Sequence, residues 1–197
     1  MDFTKAKDYI TERLIKELPD DLFYHGAHHT FAVVKATRSY AEKEGVSPDD
    51  YYLLLTAAYF HDSGFLFQYG SNEPFAVQLI EKVLPEFDYT AEEISKISSI
   101  ILATQSDVEP TNLLEKIMCD ADHDYIGTED YHVIAKTLRK ELQQRGIEYT
   151  DIEWVKLQHN YLTNRHRYYT DTALRERQPQ KEKIIRELEE AMQAIEN

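Results

Sequence analysis

The chain has 197 residues, 42% of them hydrophobic and 29% charged, and this composition excludes disorder on a large scale. Its 36 acidic and 22 basic residues give a formal charge of −14, so the surface repels nucleic-acid phosphates and we expect no large nucleic acid as a partner. No apolar run approaches the roughly 20 residues that cross a bilayer. With no apolar secretory signal and a single cysteine, Cys119, the sequence predicts a cytoplasmic protein without a membrane partner.

Helical patterns dominate the chain, and no clean alternation typical of a β-strand is present. The first apolar pattern covers residues 3–18 and ends at Pro19. Ser47 and Pro48 form a helix start, with serine as the N-cap and proline at the first helical position. The segment that follows, residues 51–60, is apolar nearly all round. This pattern is typical of a central, buried helix.

The second half of the chain carries further helix signals. Capping boxes begin at Thr90 and Thr150, and Gly146 marks a helix end. A last amphipathic helix follows Pro179, and it can either cover the core or form the seam of a homodimer.

Neither a repeat nor a linker divides the sequence. We therefore predict one all-α domain, a single helical bundle over residues 1–197. Its core covers about residues 22–130, and the C-terminal helices of residues 128–197 pack on that core.

The dipeptide His61-Asp62 stands at the C-terminal end of the apolar helix. Burying an imidazole and a carboxylate there is costly unless they are paired or bind a metal ion. The alternative is a histidine favoured by the helix dipole beside an aspartate that forms a turn. On the dipeptide alone, that alternative is the favoured interpretation.

Three histidines fall within five positions at His25, His28 and His29. If this segment is helical, His25 and His29 lie on one face, so one can bind a metal ion while the other faces a substrate. The alternative is a surface histidine tract with incidental metal affinity.

A third cluster, Asp120, Asp122, His123 and Asp124, closes an apolar helix over residues 113–118. It is either an acidic loop between helices or a ligand group. Together, the three clusters offer histidine and aspartate ligands, which suit Mn, Fe, Co, Ni or Zn better than Ca or Mg alone. The sequence lacks a cysteine pair, a His-Glu-x-x-His motif and a glycine-rich nucleotide loop, which excludes zinc fingers, zincin proteases and P-loop enzymes.

The order His29, then His61-Asp62, then Asp122 on a helical background resembles the HD-domain superfamily of metal-dependent phosphohydrolases. The stretch from Tyr24 to Thr30 resembles the Tyr-His-Asn-x-x-His motif of cyclic-nucleotide phosphodiesterases within it, except that Gly26 replaces the asparagine. The resemblance implies an HD-type helical fold and metal ligation by His29, His61, Asp62 and Asp122. It also implies His25 as the proton donor to the leaving oxygen, with Asp62 as a second catalytic residue.

The resemblance further implies one divalent metal ion, Mn, Fe, Co, Ni or Zn, with Mg as a further option. Two-metal members add two histidines between the HD pair and the last aspartate, and this chain has none there, so we expect a mononuclear site. Five residues are candidates for supporting the ligands or binding substrate: Asp120, Glu73, Arg165, His166 and Arg167. For Arg165 and Arg167, the favoured alternative to substrate binding is that their side chains lie on a solvated helix face.

These residues predict metal-dependent hydrolysis of a phosphate ester or anhydride, in a nucleotide or another small phosphorylated metabolite. The segments 120–127 and 164–170 resemble a bacterial HD subgroup of poorly defined substrate. The alternative is a non-catalytic sensor domain that binds a metal ion or a nucleotide, which Gly26 and the missing histidines leave open.

Overall fold

The computed structural model describes residues 1–196, and the last residue of the predicted domain, Asn197, lies outside the described residues. Over this range the chain forms ten α-helices joined by short loops and 3-10 turns and contains no strand, which confirms the all-α prediction. The helices are α1 (Phe3–Glu17), α2 (Ala27–Lys43), α3 (Pro48–Phe60), α4 (Glu73–Val83), α5 (Ala91–Leu102), α6 (Leu113–Asp122), α7 (Tyr131–Gln144), α8 (Asp151–Asn164), α9 (Asp171–Glu176) and α10 (Gln178–Glu196). Within residues 1–196, no helix combines the length and apolarity needed to cross a membrane.

The main hydrophobic core lies among α1 to α6. Every residue of α3 from Leu53 to Phe60 is buried, so this helix is surrounded by its neighbours, as its all-round apolar pattern predicted. Ile97 and Ile101 of α5 and Ile117 of α6 are fully buried against the same core. The end of α3 is therefore held at the centre of the molecule, which fixes the position of the residues that follow it.

A second hydrophobic cluster joins the C-terminal helices. Tyr131 of α7, Trp154 and Leu162 of α8, and Ile184 and Leu188 of α10 are its main buried members. The last helix thus covers this second core through its apolar stripe, one of the two roles expected from its sequence.

Helix ends follow the local signals in the sequence. Both capping boxes form, with the Thr90 and Thr150 side chains accepting hydrogen bonds from the backbone three residues later. The Ser47 hydroxyl accepts a hydrogen bond from the Asp50 backbone N–H at 3.2 Å. Gly146 has a φ of +73°, which lets the chain turn after α7.

Candidate metal centre

His61 caps the C-terminal end of α3 and is 1% exposed. Its Nδ1 lies 2.9 Å from the Ala58 carbonyl oxygen, so that nitrogen carries the proton. The other ring nitrogen, Nε2, is then free to act as a ligand. The chain turns immediately afterwards into a 3-10 turn at Ser63–Leu66, which leaves Asp62 beside the histidine.

Side chains from three helix ends converge on His61 Nε2. His29 comes from the first turn of α2, and its Nε2 lies 3.4 Å away. Asp122, the last residue of α6, places Oδ1 at 3.4 Å from His61 Nε2 and 3.0 Å from His29 Nε2. Asp62 Oδ2 lies 3.2 Å from His61 Nε2 and 3.4 Å from His29 Nε2. All four predicted metal ligands therefore meet at one point.

The geometry of this group fits a metal ion. Donor atoms bound at about 2.0–2.2 Å around one ion lie about 2.8–3.6 Å from each other, and the distances above fall in that range. Donor atoms of His29, His61 and Asp122 all lie within 4.8 Å of one another. Asp62 Oδ2 is buried and has no hydrogen-bond partner, a costly state that a cation would relieve.

The charges of the group support the same assignment. Burial alone would lower the pKa of His61, but the Asp62 and Asp122 carboxylates raise it well above its ordinary value, so a metal ion binding at Nε2 would displace a proton. Burial alone would raise the pKa of both aspartates, yet the histidines beside them hold both values below the usual range. Both carboxylates are therefore ionised at neutral pH, the form that binds metal ions.

The start of α4 lies against the Asp62 side of this group. Asn72 donates a hydrogen bond from Nδ2 to Asp62 Oδ1 at 3.3 Å. Glu73 lines the same cavity, and burial raises the pKa of its carboxyl group. The close approach depends on Gly64, because a Cβ atom there would lie 1.9 Å from the Asn72 backbone oxygen.

His25 lies beside the ligands but outside α2, which begins at Ala27; the helical segment considered for the histidine cluster therefore does not include it. Its Nδ1 forms a 2.5 Å hydrogen bond with Oε1 of Glu141 in α7. Glu141 Oε2 accepts hydrogen bonds from the backbone N–H groups of Tyr24 and His25 at 2.7 and 3.0 Å. Burial alone would lower the pKa of His25, but the Glu141 hydrogen bond and the nearby carboxylates raise it above its ordinary value.

The remaining sequence candidates lie away from the ligands. Asp120 is fully buried and accepts hydrogen bonds from the backbone N–H groups of Tyr169 at 2.9 Å and Thr170 at 2.7 Å. It thus ties the segment before α9 to α6. Burial raises the pKa of Asp120 to about 6.

Arg165 and Arg167 are exposed and form ion pairs with Asp107 and Glu109 on the outer surface. His166 between them is buried, and burial lowers the pKa of its ring to about 2, so the ring is neutral. The structure therefore does not bring these three residues to the metal-ligand group.

A cavity of about 420 Å³ opens directly over the ligand group. His25, His29, Asp62 and Asp122 line one end of it. The other end lies between α7 and α8, whose facing side chains are mainly apolar and aromatic. The ligand group is therefore accessible to a small molecule.

A family model described as HD domain matches residues 26–125, about half of the chain. The chain belongs to the HD domain family. HD domains are in general metal-dependent phosphohydrolases, and the His29, His61 and Asp122 group supplies ligands of the kind that such a metal ion requires.

Other comparisons bear on the fold. A search of curated proteins found no match. Among solved structures, this HD domain is similar to a crystal structure of a Lactobacillus plantarum protein solved as a structural genomics target. The TM-score is 0.67 at 18% identity, over 96% of each chain, and at that identity the likeness shows the fold alone.

Glu141 was not among the residues predicted from the sequence, and it lies in α7 outside the part matched as HD domain. Tyr69 was not predicted either, and its hydroxyl donates a hydrogen bond to Glu141 Oε1 at 3.1 Å. One signal was available for Glu141. It follows Leu138 by three positions and Ile134 by seven, so the helical period puts an acid beside the apolar stripe of α7.

Proposed function

We propose that this HD domain binds one divalent metal ion and hydrolyses a phosphate ester or anhydride in a nucleotide or another small phosphorylated metabolite. His29, His61, Asp62 and Asp122 are the proposed ligands, and Mn, Fe, Co, Ni and Zn suit them better than Mg does. The observation that carries the proposal is the convergence of these four side chains in a cavity that also holds the His25–Glu141 pair.

A divalent ion bound there would lower the pKa of a water molecule and polarise a phosphoryl oxygen. Asp62 contributes two oxygens with different surroundings. Its Oδ1 is held by Asn72, while Oδ2 faces both histidines and has no hydrogen-bond donor. This arrangement supports Oδ2 as the oxygen that would bind the cation. In the catalytic role proposed for Asp62, Oδ1, which Asn72 holds in place, would accept a proton as water attacks phosphorus.

His25 is the proposed proton donor to the leaving oxygen. Its Nδ1 is occupied by Glu141, which leaves Nε2 as the ring nitrogen for a substrate in the cavity. A proton passes from Nε2 to the leaving oxygen as the phosphorus–oxygen bond breaks, and the ring regains it from solvent. Glu141 stabilises the charged ring and fixes its orientation, although it does not contact the reacting atoms.

The proposal is tested by measuring metal content and hydrolysis in three proteins. Purified wild type, His61→Ala and the control His132→Ala are analysed by plasma mass spectrometry. His132 suits the control because it lies on the outer face of α7, paired with Glu187 at 2.8 Å. The same proteins are then screened, with each metal ion, against phosphate mono-, di- and cyclic esters and nucleoside phosphates.

We expect about one equivalent of metal and turnover in wild type and His132→Ala, and loss of both in His61→Ala. Metal binding without turnover of any substrate would favour the sensor alternative. Absence of metal from wild type after incubation with each ion would overturn the metal site itself.

A further inference from the structure

The cavity over the ligand group has two ends of different chemistry. The polar end carries the three histidines and the carboxylates, including His123 and Glu73. The apolar end continues without interruption between α7 and α8, and we call it the apolar compartment. Its walls are formed by α7 residues Tyr131, Ala135, Leu138 and Leu142, and by α8 residues Trp154, Leu157, Gln158, Tyr161 and Leu162.

The spacing of these wall residues is that of two helical stripes. On α7 they recur at intervals of four, three and four positions, and on α8 at three and four positions, so each set lies on one helix face. Apolar stripes on adjacent helices normally pack against each other. Here they enclose open space beside the ligand group. The apolar part of a bound ligand would fill this space.

Both tyrosine hydroxyls of the apolar compartment are hydrogen-bonded to protein partners. The Tyr131 hydroxyl accepts a hydrogen bond from Gln158 Nε2 at 2.8 Å. The Tyr161 hydroxyl is hydrogen-bonded to His123 Nε2 at 2.8 Å. A ligand placed there meets mainly carbon atoms, so polar substituents would lose hydrogen bonds to water without replacement.

None of the described residues that line the cavity is lysine or arginine. Arg139 of α7 and Arg145 just after it are engaged in ion pairs. Arg139 is bound to Asp151 at 2.8 Å, and Arg145 is paired with Asp21. Sites for polyphosphates normally clamp the extra oxygens with arginine or lysine side chains. The three carboxylates at the polar end, when ionised, carry more negative charge than one divalent cation offsets, so each further phosphoryl group on a substrate would add repulsion.

We propose that the substrate carries a single phosphoryl group esterified to a bulky apolar group, which is seated in the apolar compartment between α7 and α8. This inference rests on the proposed function, because it assigns the phosphoryl group to the metal-ligand end. It selects a hydrocarbon, aromatic or branched, over a nucleobase or a polyphosphate chain.

The test measures binding rather than turnover, with ligands that cannot be hydrolysed. Naphthylmethylphosphonate, methylphosphonate and the phosphonate analogue of adenosine monophosphate are titrated calorimetrically into the metal-free and the Mn²⁺-loaded protein. Two cavity variants are compared with wild type: Leu138→Trp fills the apolar compartment, and Leu138→Asn makes it polar. The matched control, Val133→Trp, places the same large side chain on the opposite, exposed face of α7.

We expect naphthylmethylphosphonate to bind at least about tenfold more tightly than the other two ligands. Both Leu138 variants should lose most of that advantage, while Val133→Trp should keep it. Equal binding of the naphthyl and methyl ligands, tighter binding of the adenosine analogue, or an advantage that survives both Leu138 variants would overturn the inference. Absence of binding by all three ligands would overturn it as well.

The two proposals fail in different ways. Turnover of small phosphate esters without any naphthyl advantage would overturn the substrate class and leave the proposed function intact. Tighter binding of naphthylmethylphosphonate by a protein that neither binds metal nor hydrolyses esters would support the apolar compartment as a binding site and overturn the proposed hydrolase activity.

Discussion

Glu141 and His25 are joined across 116 residues of sequence by a hydrogen bond of 2.5 Å between Oε1 and Nδ1. The same carboxylate binds the backbone N–H groups of Tyr24 and His25, and it is completely buried. One side chain of α7 therefore fixes both the ring and the loop that carries it. The C-terminal helices thus complete the site whose ligands come from α2, α3 and α6.

Replacing Glu141 with glutamine tests this role. The amide keeps the shape but loses the charge that stabilises a protonated His25, so we expect kcat to fall about 10- to 100-fold. KM and metal content should change little, because Glu141 touches neither the cation ligands nor the cavity. Steady-state kinetics with plasma mass spectrometry measures both.

The control for this substitution is Glu148→Gln, which removes an exposed acid shortly after α7 and should leave kcat unchanged. A conservative Glu141→Asp variant should recover part of the lost rate. Loss of metal together with the rate in Glu141→Gln would show that Glu141 supports the fold of the whole site instead of His25.

Asp120 and Asp122 both lie in α6, but we expect their substitutions to have different effects on metal content and stability. Asp122→Asn removes a charged ligand, so we expect metal content to fall well below one equivalent. Asp120→Asn should retain the metal ion but lower the free energy of unfolding by about 1–3 kcal/mol, because an amide replaces the acceptor of the Tyr169 and Thr170 N–H groups. Metal analysis and urea unfolding of both variants separate the two roles. Metal loss in Asp120→Asn would contradict this division.

A substitution at Gly64 tests whether the start of α4 must lie this close to the ligand group. A methyl group at this position would collide with the Asn72 backbone, so we expect Gly64→Ala to destabilise the protein by about 3 kcal/mol. The displaced Asn72 would lose its hydrogen bond to Asp62, and metal affinity should fall about tenfold. Thermal unfolding and metal titration measure these effects.

Gly70→Ala is the control for that experiment. Gly70 has a φ of +77° but no atom within 4 Å of a Cβ there, so alanine should cost only about 1 kcal/mol of backbone strain. Its metal affinity should equal that of wild type. Equal effects of the two substitutions would contradict a specific role for the close approach at Gly64.

Local patterns in the sequence were sufficient to predict the all-helical fold and to mark three clusters of histidine and aspartate, whereas the ligand set itself was implied by the resemblance to the HD-domain superfamily. The buried α3 follows from its all-round apolar composition, and the helix starts at Thr90 and Thr150 follow from capping residues. His61, Asp62 and Asp122 stand at helix ends, where a polar residue after an apolar run is a visible signal. Each of these predictions depends on residues within a few positions of one another.

Features that depend on long-range packing could not be predicted in this way. The pairing of Glu141 with His25 requires α7 to fold back over the loop before α2, and no local pattern specifies that contact. The apolar compartment could not be predicted for the same reason. In the sequence, the apolar stripes of α7 and α8 look like ordinary core-facing surfaces, and only the structure shows the space between them. Arg165 and Arg167 were candidates by charge alone, and their partners lie on the outer surface.

Glu115 in the first turn of α6 makes the stability of the protein depend on pH in a way that can be tested. Burial alone would raise the pKa of Glu115, but hydrogen bonds from Ser99 and Thr111 lower it below its ordinary value. A folded-state pKa below the unfolded value of about 4.3 means that this carboxylate stabilises the protein at neutral pH and that the contribution is lost as the pH falls through the folded-state pKa.

We therefore expect Glu115→Gln to lower the free energy of unfolding by about 1–3 kcal/mol at pH 7, and the difference from wild type to shrink steadily below about pH 4. Urea unfolding at a series of pH values measures this difference. The exposed Glu190→Gln should follow wild type at every pH, since its side chain lies on the outer face of α10. A Glu115→Gln difference that is independent of pH would show that the lost stability comes from packing, because only the loss of an ionisable group with a lowered pKa makes the difference disappear in acid.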